Sequence, residues 1–300
     1  MKSLLINIAR LNLLRTAWHK LRSTVADEDC YKAFVAAMNK QSEEWKLENT
    51  KWINPSGLGE NNQYSESTAR DLAIMALHVF TKENKFHGRD VYLLKVIKPY
   101  FIPRYRVKQK IVYSTTTLET IGNNYPIFGA KTGSGDGYQT LVMVCKIGDS
   151  IVSGAVMNAD NEQGRFEAMD DLMNFAHDIL SKSKETNNYV CTKARNACLY
   201  RLDNNGQQVC LFAQNADEKS PPMSTTKVMT LALVKKYKID MNQLVFITPY
   251  DTQNAGNDIL YDWDKLSIQD LVNIMMRCSS NVAANALARI IGEKISKFDK

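Results

Sequence analysis

Apolar residues recur at helical spacing through Phe34, Val35, Met38 and Trp45, which predicts a helix over residues 31–46. A second helix, over residues 68–80, turns Leu72, Met75, Ala76 and Val79 to one face and has Ser67 as its expected N-cap. The period then changes. Residues 141–146 and 151–157 are apolar, strand-like runs on either side of Gly148-Asp149, the pattern of a hairpin. Helical spacing returns over residues 166–180, where Phe166, Met169, Leu172, Met173, Ala176 and Ile179 are expected to point inward. Residues 181–188 are polar and aperiodic and read as a linker. Beyond it, strand-like residues 197–202 and 209–213 flank Asn204-Asn205-Gly206, a second hairpin signal. Helices over residues 223–235, opened by Pro221-Pro222, then 268–276 and 282–291 complete the pattern.

The first 25 residues stand apart. At helical spacing Leu4, Ile8, Leu11, Trp18 and Leu21 would share one face, with Arg10, Arg15, Lys20 and Arg22 among the rest, so the pattern predicts a basic amphipathic helix. Such a helix suits contact with a membrane surface; packing on the domain, or a leader upstream of the fold, are the other readings. Asn7, Arg10 and Asn12 interrupt the apolar core that a secretory signal needs.

With 300 residues, 44% of them hydrophobic, the chain can bury an ordinary core in one large domain or two smaller ones. The basic residues behind the net charge of +6 are scattered among acidic ones, so charge is weak evidence for nucleic acid, which is not expected as a partner, and an anionic polymer such as a cell-wall glycan would suit it equally well. The six cysteines show no Cys-x-x-Cys pair and no metal-ligand spacing with the four histidines, so no metal is expected; their even count would permit disulfides outside the cell, but the sequence pairs none of them and buried free thiols are the expectation, and the serine chemistry read below needs no cofactor.

Three short motifs carry candidate chemistry. Ser224 and Lys227 stand i and i+3 on a predicted helix, where the amine can take the proton of the hydroxyl. Lys131-Thr132-Gly133 leads into a strand, and Ser279-Ser280-Asn281 precedes a helix that Asn281 is suited to cap. This trio resembles that of penicillin-binding proteins and class A β-lactamases. Residues 222–230, Pro-Met-Ser-Thr-Thr-Lys-Val-Met-Thr, resemble the nucleophile helix of the D-alanyl-D-alanine carboxypeptidases, the low-molecular-mass penicillin-binding proteins. Residues 49–58 and 67–73 resemble a stretch that in this family lies between the second and third motifs.

The resemblance runs from about residue 26 to the C-terminus. It implies an α/β fold of the β-lactamase and DD-peptidase type, with an antiparallel sheet flanked by helices and an all-helical lobe beside it. It implies Ser224 as nucleophile, Lys227 as base and Ser279 as proton relay. Asn281 would fix Lys227 and the substrate amide, while Lys131 and Thr132 would hold the substrate carboxylate. Gly133 would permit close approach, and the N–H of Ser134 would complete the oxyanion site with that of Ser224. The implied substrate is a peptidoglycan stem peptide ending in D-alanyl-D-alanine, β-lactams would acylate the same serine, and the implied location is outside the cytoplasmic membrane. A β-lactamase would need a further carboxylate to activate water, and the sequence offers no convincing one. A non-catalytic peptidoglycan-binding or truncated protein is the reading from another class.

Two departures accompany the resemblance. Val282 follows Asn281 where the family often has aspartate, for which a packing change is expected. The motif order is also inverted, since Lys-Thr-Gly comes last in the family and first here. Residues 26–180 would then be the back half of the domain, 181–190 a linker and 191–300 the front half. The chain is either a circular permutant or a fragment of a tandem array, whose halves complement within one chain or by swapping into a homo-oligomer. A flexible linker of this length spans roughly 15 Å.

Overall fold

Every residue from 141 to 145 is apolar because the sheet these residues belong to is covered on both faces. Val142 and Val144 point into one cluster of buried side chains, and Leu141, Met143 and Cys145 into the other. The computed structural model describes residues 26–60, 62–81, 100–102, 110–112, 125–181, 192–203 and 205–298. Residues 1–25, expected from the sequence to be an amphipathic helix, and residues 182–190 of the expected linker lie outside the described residues.

In chain order the elements are α1 (Asp27–Glu44), α2 (Ala69–Phe80), the short antiparallel pair β1 (Tyr100–Ile102) and β2 (Lys110–Val112), then β3 (Ile127–Gly135), β4 (Tyr138–Ile147), β5 (Ser150–Met157) and α3 (Glu162–Leu180). After the linker come β6 (Asn196–Leu202), β7 (Gln208–Gln214), a 3-10 turn (Met223–Thr226), α4 (Lys227–Lys236), β8 (Leu244–Phe246), α5 (Pro249–Thr252), β9 (Lys265–Ser267), α6 (Ile268–Cys278) and α7 (Asn281–Phe298). Strands β3 to β7 form one antiparallel sheet in sequence order. Helix α3 packs on one face through Met169, Leu172, Met173 and Ala176, and α2 packs on the other. Helices α1, α4, α6 and α7 pack together beyond α2 in a core continuous with that face. The fold is therefore α/β, an antiparallel sheet flanked by helices with a helical lobe beside it.

Sheet pairing and helix packing both join residues 26–181 to residues 192–298. Strand β5 pairs with β6, Ile151 opposite Leu202 through Met157 opposite Asn196. Helix α1 lies along α7 so closely that a Cβ at Gly292 would stand 1.7 Å from the Cys30 carbonyl oxygen. Glycine is the residue that permits this approach.

Local details differ from the sequence pattern at several points. The cap of α2 is Thr68, whose side chain accepts from Asp71 N, and not Ser67. Ser67 is instead engaged through its backbone, which exchanges two hydrogen bonds with Ser220. The inward stripe of α3 ends at Ala176, so Ile179 stands 40% exposed in the last turn. Trp45 falls just past α1 as its C-cap and stacks on His78 at 4.7 Å between ring centroids. Cys30, Cys145 and Cys198 are buried and free, but Cys210, on the edge strand β7, is exposed. Val282 is buried in the main core, a packing role in keeping with an apolar residue there.

Candidate active site

Ser224 sits in the 3-10 turn that leads into α4, not on a regular α-helix as its spacing predicted. Met223 before it has φ of 50°, a left-handed conformation that a side chain rarely adopts. The loop of residues 54–58 packs directly on this turn. Gly57, at φ of 79°, faces Met223 so closely that a Cβ would lie 1.9 Å from the Met223 carbonyl oxygen. Asn54 holds the loop, its Oδ1 accepting from Gly57 N at 2.7 Å and its Nδ2 donating to Leu58 O at 2.7 Å. Thr230 on α4 donates to Pro55 O at 2.7 Å.

That loop aims the Ser56 carbonyl at Lys227. The Lys227 Nζ lies 2.7 Å from Ser56 O, 2.8 Å from Ser224 Oγ and 2.8 Å from Asn281 Oδ1, and the side chain is fully buried. Burial drives its pKa well below the usual lysine value, the charge of Lys131 adds to the effect, and Asp258 opposes it. A neutral amine has two protons and one lone pair. Two of its three neighbours can only accept, because Asn281 Nδ2 donates to Ala255 O at 2.9 Å and so fixes the amide with Oδ1 toward Lys227. When the amine is neutral, its lone pair is therefore left for the Ser224 hydroxyl, the one partner with a proton to give.

A second lysine lies at the edge of the sheet. Lys131 on β3 is also fully buried, and its Nζ donates to Thr132 O at 2.7 Å and to Ser279 Oγ at 3.0 Å. Burial lowers its pKa to about 7, and the neighbouring Arg165 pushes in the same direction. Ser279 ends α6 in a left-handed conformation, φ of 57°, at the break between α6 and α7. Gly133 brings β3 against the 3-10 turn of Ser224, where a Cβ would stand 3.0 Å from Ser224 N. Ser134 is exposed at the end of the strand, hydrogen-bonded to Gln139 Oε1 at 3.0 Å and to Arg165 Nη1. An open cavity of about 250 Å³ lined by Ser279, Asn281, Asn257 and Cys278 adjoins these groups.

Of the eight residues singled out in the sequence, five meet through their side chains, Ser224 with Lys227 and Asn281, and Lys131 with Ser279; Thr132 and Gly133 contribute backbone beside them, and the Ser134 side chain bonds Gln139 and Arg165 instead. Three contributors were not read from the sequence. Ser56 acts through its carbonyl, which no side-chain pattern reveals. Arg165, buried in the first turn of α3, donates to Gly133 O at 3.1 Å and to Gln139 Oε1 at 2.9 Å beneath β3. Asp258 accepts from the N-terminus of α7. The expectation that Asn281 caps α7 is corrected: Ser280 Oγ accepts from Ala283 N at 3.0 Å, which frees the Asn281 side chain for Lys227.

A family model described as D-alanyl-D-alanine carboxypeptidase matches residues 28–161 and 184–299. The chain belongs to the D-alanyl-D-alanine carboxypeptidase family. The protein named D-alanyl-D-alanine carboxypeptidase DacA of Haemophilus influenzae is 37% identical over 68 residues, which cover 22% of this chain and 17% of that relative. No solved structure gives a significant match. Within the family's domain, the buried lysines make a direct prediction. Because the folded pKa of Lys131 is about 7 and the unfolded value near 10.4, the unfolded chain binds more protons between these limits, so this lysine destabilises the fold fully below pH 7 and ever less above it. The stability of wild type relative to Lys131→Met should therefore rise as pH increases through this window, measured by thermal unfolding of both proteins at several pH values.

Proposed function

We propose that this chain is a serine-type D-alanyl-D-alanine carboxypeptidase that removes the terminal D-alanine from peptidoglycan stem peptides outside the cytoplasmic membrane. The observation that carries the reading is the 2.8 Å contact between Ser224 Oγ and the buried Lys227 amine, whose remaining neighbours leave its lone pair for that hydroxyl. Ser224 attacks the carbonyl carbon of the penultimate residue while Lys227 takes the hydroxyl proton. The N–H groups of Ser224 and Ser134 stabilise the oxyanion. Ser279, in contact with Lys131, passes a proton to the departing amine of D-alanine, and Asn281 orients both Lys227 and the substrate amide. Water then hydrolyses the ester on Ser224.

Lys131 and Thr132 hold the terminal carboxylate, and the buried guanidinium of Arg165 adds positive potential beneath Gly133 and Ser134. A β-lactam enters the same site and acylates Ser224. Light scattering of the purified protein distinguishes a permuted monomer from a swapped oligomer. The test is incubation with a peptide ending in D-alanyl-D-alanine and, separately, with a fluorescent penicillin. Release of D-alanine and one covalent label per chain are expected; folded protein that does neither overturns the reading.

A further inference from the structure

The break between α6 and α7 carries two of the residues the proposed reaction depends on, Ser279 and Asn281, and it is held by a carboxylate from elsewhere. Helix α7 has no acidic residue in its first turn. Its N-terminal groups converge instead on Asp258, 23 residues before Asn281 in the chain. Asp258 Oδ2 accepts from Asn281 N at 2.8 Å and Val282 N at 3.2 Å, and Oδ1 from Ser280 Oγ at 2.8 Å. The same loop contributes Ala255 O, which accepts from Asn281 Nδ2 at 2.9 Å. Asp258 in turn closes on its own loop, its Oδ1 accepting from Ile259 N at 2.7 Å and Leu260 N at 3.2 Å. One carboxylate therefore ties the loop, the helix start and the middle residue of the Ser279-Ser280-Asn281 motif into a single unit.

We propose that Asp258 is a positioning residue for the acylation step, fixing the orientation of Ser279 and Asn281 through the N-terminus of α7. The inference rests on the carboxypeptidase reading above. Its geometry accounts for two features of the site together. Ser280, buried and turned away from Lys227, has its hydroxyl spent on Asp258 and Ala283 N, so the residues on either side of it are the ones left for Lys131 and Lys227. Negative charge at a helix start is also favourable, and here it is supplied from outside the helix.

The charge of Asp258 has a second consequence that a merely structural contact would lack. The charged groups that act on Lys227 are Lys131, which lowers its pKa, and Asp258, which raises it, and Lys131 itself is acted on by Arg165 and Cys278. Since the neutral form of Lys227 is the base, removing the Asp258 charge favours the reactive form at lower pH. The rate falls because the groups are misplaced, while the acid limb of the pH profile moves down.

The experiment compares full-length wild type, D258N and D258E by the second-order rate of acylation with a fluorescent penicillin across pH, with thermal unfolding of each protein as the check on folding. D258N is expected to lose on the order of 10²-fold in rate, the usual cost of a misplacement near 1 Å, and to shift its acid limb to lower pH. D258E, which keeps the charge, is expected to recover most of the rate with the acid limb at its wild-type position. D258N that acylates at the wild-type rate, or whose acid limb stays with that of D258E, overturns the proposal. If D258N does not fold, D258S carries the test, because it removes the carboxylate that accepts from Asn281 N and Val282 N, and wild-type acylation in that variant overturns the proposal. Wild-type protein that takes no label is a different outcome and overturns the carboxypeptidase reading itself.

Discussion

Ser224→Ala is expected to abolish covalent labelling by a fluorescent penicillin and to lower D-alanine release on the order of 10⁵-fold or more, the scale seen when a covalent nucleophile is removed. The fold should be almost unchanged. Ser224 is only half-buried, and its hydroxyl matters to the interior through one contact, with Lys227. Without that hydroxyl, a neutral Lys227 still donates its two protons to Ser56 O and Asn281 Oδ1. What it loses is a partner for its lone pair, a change of about 1 kcal/mol. Mass spectrometry after incubation with the penicillin, alongside thermal unfolding, checks both halves of the expectation. A labelled S224A protein would place the nucleophile elsewhere.

The second large effect is at Lys227. Lys227→Met and Lys227→Arg should each slow acylation by roughly 10²–10⁴-fold, the range over which a positioned base contributes. The two variants separate the base from the charge. Arginine retains a cation of similar reach but stays protonated at any working pH, so it cannot accept the Ser224 proton. It also forces a permanent charge into a site where burial and Lys131 already disfavour one, and K227R should be the less stable of the pair. Methionine fills the space without charge and leaves Ser56 O and Asn281 Oδ1 short of a donor, each worth about 1–3 kcal/mol. Acylation rates and unfolding temperatures on the same preparations test this. An active K227R would show that a neutral amine is not required.

Much of this site was legible in the chain because it is written locally. Ser224 and Lys227 are three residues apart, so the turn that begins α4 brings them together wherever it sits in the fold. Gly133 reads as a point of close approach, and the backbone at Ser224 does come within contact of it. The apolar runs of β4, β5 and α3 marked which elements form, and the inward stripe of α3 held as far as Ala176. Elements were also misjudged where backbone bonding overrode side-chain preference. Ser67 is as good a cap as Thr68 by residue type, but its backbone is taken up by Ser220, 153 residues away by number. Asn281 is a good cap by type as well, and Ser280 takes that role because Asp258 holds the helix start in place.

What residue order alone could not supply is everything that acts across distance. The Ser56 carbonyl is 171 residues from Lys227 in the chain and 2.7 Å from its amine. Ser279 is 148 residues from Lys131 and 3.0 Å from it. Sequence determined the inventory: a serine and a lysine at one helix start, a lysine on a strand, a serine and an asparagine around a helix break. Tertiary structure decided their protonation and direction, because a lysine pKa depends on burial and on neighbouring charge, and a lone pair points only where the other neighbours leave room. Both follow from how β3, α4 and α7 pack, and that packing is blind to the order in which the chain visits them.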